Sequence, residues 1–88
     1  MGLDWTIKKD GVEMASGNGR VRYGYIRDWS KSKNVYGKDI ELTDKDVIIL
    51  IKDSILNFLA TGYDIDEDLL NCLRHAYRES GWTLECDW

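Results

Sequence analysis

The sequence predicts an α+β domain in which a small antiparallel sheet of three to four strands packs on an αα-hairpin. Two observations support this prediction. Segments near both ends alternate apolar and polar residues with the period of two that is typical of a half-buried strand. The second half contains two stretches of helical periodicity separated by a tight turn. At 88 residues the chain has room for one hydrophobic core, so we expect a single compact domain over residues 1–88.

The strands are predicted from this alternation and from turn residues. Leu3, Trp5 and Ile7 alternate with polar residues. Asp10-Gly11 follows, which suits the type I′ turn of a hairpin, so a returning strand is expected from Val12. At the other end of the chain, the alternating apolar residues are Trp82, Leu84, Cys86 and Trp88. Because the two apolar faces match, the N- and C-terminal strands are predicted to lie close together in one sheet.

The first helix of the hairpin is predicted from its caps. Thr43 and Asp46 have the spacing of a capping box, so the helix should begin at Asp44. It should run to Thr61 and end at Gly62, since glycine readily adopts the left-handed conformation after a helix.

The second helix follows after a tight turn. Asp64 is the expected cap, with Glu67 three residues later as in a capping box. The helix is expected to run to Ser80 and to stop at Gly81.

The helix predicted over residues 44–61 is apolar on two sides. The main stripe, expected to face the core, consists of Val47, Ile48, Ile51, Ile55, Phe58 and Leu59. The second stripe, roughly 100° away around the helix, consists of Ile49, Leu56 and Ala60. A helix of this kind is usually central in its fold or buried in an oligomer. The second stripe therefore predicts a homodimer.

One segment stands apart in charge. Residues 20–38 carry six bases and one acid, a net charge of +5, whereas residues 39–88 carry four bases and twelve acids, a net charge of −8. Within the basic segment, Val21, Tyr23 and Tyr25 would share one face if the segment is a strand. A strand is favoured over a helix because Gly24 is costly inside a helix. A further short strand is expected at residues 40–42.

The basic segment also contains the candidate contact residues. These are Arg20, Arg22, Tyr23, Tyr25, Arg27, Trp29, Lys31 and Lys33. Cations neutralise phosphates and aromatic rings stack on bases, so their mixture is typical of single-strand nucleic-acid binders. Arginine and aromatic residues are also enriched at protein interfaces. A solvated sheet face explains the same pattern, so three interpretations stay open.

Metal and catalytic motifs do not fit the sequence. A calcium loop starting at Asp64 needs glycine at its sixth place and glutamate at its twelfth, where Leu69 and His75 stand. Cys72, His75 and Cys86 are three soft ligands, whereas a structural zinc site needs four. We therefore expect no metal, no cofactor and no enzymatic activity.

Two function hypotheses follow. The first is a small protein-interaction module, an inhibitor or adaptor that occludes a partner, similar in general character to viral accessory proteins that block host defences. The alternative is a binder of nucleic acid or of a phosphorylated nucleotide through residues 20–38. We expect a cytoplasmic protein, since Cys72 and Cys86 are too few for a disulfide scaffold. No membrane span is expected, because the longest apolar run has five residues, 47–51.

Overall fold

The computed structural model describes residues 2–88. Over these residues the elements are β1 (Asp4–Lys9), β2 (Val12–Asn18), α1 (Gly24–Ser32), β3 (Ile40–Glu41), α2 (Asp44–Thr61), α3 (Glu67–Ala76) and β4 (Trp82–Asp87). The four strands form one antiparallel sheet in the order β2-β1-β4-β3. Helices α2 and α3 form a hairpin, so the predicted α+β fold is confirmed.

The strands from the two ends of the chain occupy the centre of the sheet. β1 pairs with β4 from Asp4, opposite Asp87, to Lys9, opposite Trp82. Their inward-facing side chains are buried: Trp5, Ile7, Trp82, Leu84 and Cys86. The prediction that the terminal strands lie close together is confirmed, and their apolar faces form one side of the hydrophobic core.

The hairpin of β1 and β2 has the predicted turn. Asp10 and Gly11 both have positive φ, 51° and 82°, as a type I′ turn requires. Further along the hairpin, Trp5 lies opposite Gly17. A Cβ at Gly17 would lie only 2.7 Å from the indole nitrogen of Trp5, so the indole packs where only a glycine leaves room.

Helix α2 has the predicted bounds. The Thr43 hydroxyl accepts a hydrogen bond from the Asp46 N–H, and the Asp46 carboxylate accepts one from the Thr43 N–H, both at 3.1 Å. Gly62 has φ 80° and donates its N–H to the carbonyl of Phe58. The capping box and the glycine cap are therefore both formed.

Helix α3 is shorter than predicted. The expected cap at Asp64 is wrong: the carboxylate of Asp66 accepts the hydrogen bond, from the N–H of Leu69 at 3.0 Å. The helix also ends before the predicted end at Ser80, because the backbone is already extended at Tyr77.

The strand expected in the basic segment is wrong, because residues 24–32 form helix α1. Gly24 is the first residue of this helix, where the N–H groups lack partners in any helix and a glycine disturbs little. Ile26, Trp29 and Ser30 are the buried residues of α1. Their spacing of three and four residues is that of one helical face.

The buried face of α2 also differs from the expected one. Its fully buried apolar residues are Val47 and Leu50, and Ser54 is buried on the same side. This face is rotated by roughly 100° from the expected stripe. Of that stripe, Val47 is buried, Ile51 is half-buried, and the others are exposed: Ile48, Ile55, Phe58 and Leu59.

Candidate functional site

The eight predicted contact residues do not share one surface. Tyr23 and Trp29 are part of the core, with only 3% and 4% of their surface exposed. Three side chains are half-buried: Arg22, Tyr25 and Arg27. Three are exposed: Arg20, Lys31 and Lys33. Base stacking on Tyr23 or Trp29 would require these rings to leave the core.

Trp29 joins helix α1 to helix α2 through a buried carboxylate. Its indole N–H donates to the Asp46 carboxylate at 3.2 Å, and the Lys33 ammonium lies 2.6 Å from the same oxygen. Burial by itself raises the pKa of Asp46, but the hydrogen bonds from Lys33 and from the backbone of Thr43 outweigh it. The pKa of Asp46 therefore lies below its ordinary value, and Lys33 is engaged in a structural ion pair.

Tyr23 joins the start of α1 to the start of α3. Its hydroxyl donates to the Asp66 carboxylate, the same group that caps α3. Its ring meets the ring of Trp5 edge-on, with 5.3 Å between centroids. Burial, and next the hydrogen bond to Asp66, raise the pKa of Tyr23 to about 12. The phenol is therefore neutral at physiological pH and has a structural role.

A groove of about 650 Å³, the α1–α2 groove, lies between the start of α1 and the C-terminal half of α2. One wall consists of Arg20, Val21, Gly24, Tyr25, Arg27 and Asp28. The other consists of Asp53, Leu56, Asn57 and Ala60. The Asn57 amide donates to the carbonyl of Arg22 at 2.9 Å and holds the two walls together. Three predicted contact residues and two predicted dimer residues thus line one groove.

Helix α2 presents a large apolar surface to solvent. Five of its apolar side chains are between 38% and 71% exposed, and together they are named the α2 surface: Ile48, Ile55, Leu56, Phe58 and Leu59. Of the predicted dimer residues, Leu56 belongs to this surface, Ala60 is exposed and lies one helical turn further on, and Ile49 is half-buried. Most of the α2 surface was expected to face the core, so sequence reasoning assigned it the wrong role.

Most of the α2 surface lies in the last two turns of a helix that is long for so small a domain. Eighteen residues make a helix about 27 Å long, close to the 32 Å of the longest dimension of the molecule. From Ile55 to Thr61 every residue except Asn57 is exposed. A helix of 18 residues is long for a domain of 88 residues. This length was the feature of the sequence that could have indicated that part of the helix lies outside the core.

The two flanks of the α2 surface differ in charge. On the side of α3, Phe58 borders a groove lined by Asp64, Glu67 and Asp68, with the half-buried Arg22 also in its wall. Among the described residues, no ion pair involves these three acids. On the side of α1, the groove is lined by two cations, Arg20 and Arg27, and by two acids, Asp28 and Asp53, so its charges balance.

The two cysteine side chains lie outside these two grooves and are uncharged. Cys72 and Cys86 are unpaired, buried thiols. Burial raises the pKa of both, to about 11 for Cys86. Within residues 2–88, no group of three or more His, Cys, Asp or Glu side chains is placed to hold a metal ion. In the same part of the chain, no helix combines the length and the apolar content needed to cross a membrane.

Comparison with protein-family models, with curated proteins and with solved structures found no match for this chain. The geometry of the α2 surface and its flanks is therefore the basis for inferring function.

Proposed function

We propose that this protein is a non-enzymatic protein-interaction module, an inhibitor or adaptor that binds and occludes a partner through the α2 surface. One observation carries the proposal: five large apolar side chains of a single helix face solvent. A homodimer through Ile49, Leu56 and Ala60 belongs to the same proposal, because Leu56 is part of this surface. The proposal includes a cytoplasmic location, where two unpaired thiols stay reduced.

The size of the surface supports protein binding. A large side chain has about 150–250 Å² of surface, so five that are about half exposed present on the order of 500 Å². This is at the upper end of the largest apolar patch on a typical monomer, about 300–600 Å², and such patches are often functional. A standard interface buries roughly 800 Å² of each partner, so one centred on the α2 surface would extend onto its flanks.

The state of the reactive groups supports a non-enzymatic role. A cysteine attacks as the thiolate, and the pKa of both thiols is raised by burial, so both are protonated at neutral pH. The buried carboxylate of Asp46 already accepts hydrogen bonds from the Thr43 N–H and the Trp29 indole, and it forms an ion pair with Lys33. These groups are engaged in holding the fold.

Nucleic-acid binding through residues 20–38 is the weaker alternative. It relied on aromatic rings beside cations, and two of these rings, Tyr23 and Trp29, are in the core. The exposed cations Arg20 and Lys31 remain available for phosphate contact. The A260/A280 ratio of the purified protein and a salt titration with a single-stranded oligonucleotide test this alternative.

The main test compares capture of partners by three forms of the full chain. The surface variant is Leu59→Glu, and the matched control is Ser16→Glu, which adds the same charge at an exposed position of β2. Each form is immobilised, exposed to lysate of the native host and analysed by mass spectrometry, with a thermal melt to verify folding. A specific partner should be captured about 10-fold less by Leu59→Glu than by the parent and the control. Equal capture by all three forms would contradict the proposal.

A further inference from the structure

We infer that the partner of the α2 surface is a basic segment of another protein, which places apolar side chains on α2 and lysine or arginine side chains in the acidic groove beside α3. Because it names the chemistry of the partner, this inference rests on the proposed function. Three observations lead to it: the groove joins the α2 surface, its negative charge is unpaired, and the opposite flank carries no excess charge.

The groove beside α3, named the α3 groove, is continuous with the α2 surface. It has a volume of about 740 Å³ and lies between the C-terminal end of α2 and the start of α3. Its apolar lining consists of Phe58, Ile65 and Leu70. Phe58 also belongs to the α2 surface, and 38% of it is exposed. A segment that covers the α2 surface at Phe58 therefore also reaches the α3 groove.

The α3 groove has a net negative charge. Four carboxylates and one guanidinium group line it, so its net charge at neutral pH is −3. The acids are Asp64, Asp66, Glu67 and Asp68, and the cation is Arg22. Asp66 is half-buried and accepts hydrogen bonds from the Leu69 N–H and the Tyr23 hydroxyl. The other three acids are exposed, and within residues 2–88 none of the four forms an ion pair.

The start of helix α3 offsets only part of this charge. Glu67 and Asp68 lie in its first turn, where acids stabilise a helix through its dipole. Asp64 precedes both the helix and its cap. The dipole is equivalent to roughly half a positive charge at the N-terminus, which is small against a net charge of −3. Helix capping therefore leaves an excess of negative charge that a cationic partner would neutralise.

The cations around the α2 surface do not remove this preference. The α1–α2 groove is lined by two cations and two acids, so its charges balance. Lys52 lies on the side of the α2 surface towards α1, about 120° from Phe58 around the helix. Arg74, the next cation along α3, donates to the side chain of Asn71 at 3.3 Å. The whole chain has a net charge of −4, so a basic partner is attracted at long range, whereas a second copy gains no such attraction.

Two synthetic amphipathic peptides test the charge of the partner. They share the same apolar residues and differ only at their polar positions, which are lysine in one peptide and glutamine in the other. The lysine peptide should bind the parent about 10-fold more tightly, because each of three exposed acids contributes a modest attraction. Fluorescence anisotropy of the labelled peptides measures both dissociation constants. Equal affinities, or no binding of the lysine peptide at roughly 100 µM, would overturn the inference.

Two triple variants locate the contact. The groove variant neutralises the three exposed acids of the α3 groove: Asp64→Asn, Glu67→Gln and Asp68→Asn. The matched control neutralises three exposed acids of the sheet: Asp4→Asn, Glu13→Gln and Glu41→Gln. The two variants have the same net charge, so any non-specific attraction of the peptide is equal in both, and a thermal melt verifies that both are folded. The groove variant should lose the preference for the lysine peptide, whereas the control should keep it. An equal preference in the two variants would refute the α3 groove as the contact.

The inference and the proposed function fail in distinguishable ways. If Leu59→Glu abolishes capture of the host partner and the groove variant captures it as the parent does, the α2 surface is supported and the basic partner is refuted. If Leu59→Glu captures the host partner as the parent does, the proposed binding surface is refuted, even where the lysine peptide binds the α3 groove. If light scattering shows a dimer that Leu59→Glu dissociates, and the lysine peptide does not bind, a second copy covers the surface and the basic partner is refuted.

Discussion

Helices α1 and α2 are neighbours, and burial in each is the opposite of what its composition indicates. The short and cationic α1 places Ile26 and Trp29 in the core. The long and apolar α2 buries Val47 and Leu50, whereas the large apolar side chains towards its C-terminus, including Leu59, are exposed. A side chain is buried only where another element packs against it, so the apolar content of a helix does not decide which part of it forms the core.

The comparison implies that a substitution in α1 costs more stability than one in the C-terminal half of α2. The following changes test this, and all are measured on dilute protein so that association through the α2 surface does not contribute.

The largest effect is expected for Trp29→Ala. It removes a buried indole and its hydrogen bond to Asp46, so the free energy of unfolding should fall by about 3–5 kcal/mol, close to the whole stability of a small domain. Urea unfolding followed by circular dichroism measures this. A control is Lys31→Ala, on the exposed side of the same helix. If both variants were equally stable, α1 would not be part of the core.

Asp46→Asn should have the next largest effect, about 1–3 kcal/mol, because the ion pair with Lys33 is lost while the cap is partly retained. The matched control is Asp53→Asn, a half-buried acid of the same helix. The pH dependence gives a second measurement. The folded pKa of Asp46 lies below its ordinary value of 3.8, so the carboxylate stabilises the fold above that pH. This contribution is lost as the pH falls below 3.8. Stability of Asp46→Asn should therefore change less than that of the parent in this acidic range.

Tyr23→Phe should reduce stability by about 1 kcal/mol, since one hydrogen bond to the Asp66 carboxylate is lost and the ring stays in place. The folded pKa of Tyr23 is raised from 10.0 to about 12, so this phenol stabilises the fold below pH 10. The contribution disappears between pH 10 and 12. The difference in melting temperature between the parent and Tyr23→Phe should shrink across that interval. Tyr63→Phe, at an exposed tyrosine, should show no such change.

The smallest effect is expected for Leu59→Ala, within about 0.5 kcal/mol of the parent, because its side chain contributes little to the core. Leu50→Ala, the same substitution on the buried side of α2, should cost about 2–5 kcal/mol. Comparing the stability of these two variants shows how much the cost of the same substitution depends on whether the leucine is exposed or buried. A large cost at Leu59 in the monomer would mean that the α2 surface supports the fold itself.

Several predicted features are formed by residues close together in sequence. The turn at Asp10-Gly11, the capping box of Thr43 and Asp46 and the glycine cap at Gly62 are all present as predicted. Each depends on the conformational freedom or the hydrogen-bonding groups of residues within one turn of each other. The alternation of apolar residues in β1 and β4 likewise specified which face is buried.

The candidate site was less predictable. The contact residues were selected for cation and aromatic content, and this composition does not show that Tyr23 and Trp29 point inward. The capping position of α3 was also missed, because Asp64 and Asp66 are both acceptable caps. Only Asp66 also accepts the hydrogen bond from Tyr23.

Local chemistry was therefore enough to specify the turn at Asp10-Gly11, the two caps of α2 and the strands at the two ends of the chain. The folded chain was needed to decide that residues 24–32 form a helix and which side of α2 is buried. The physical reason is distance along the chain. Trp29 finds its partner Asp46 17 residues away, and Tyr23 finds Asp66 43 residues away. Such pairings select one face of each helix, and the apolar side chains of the α2 surface are left exposed to solvent.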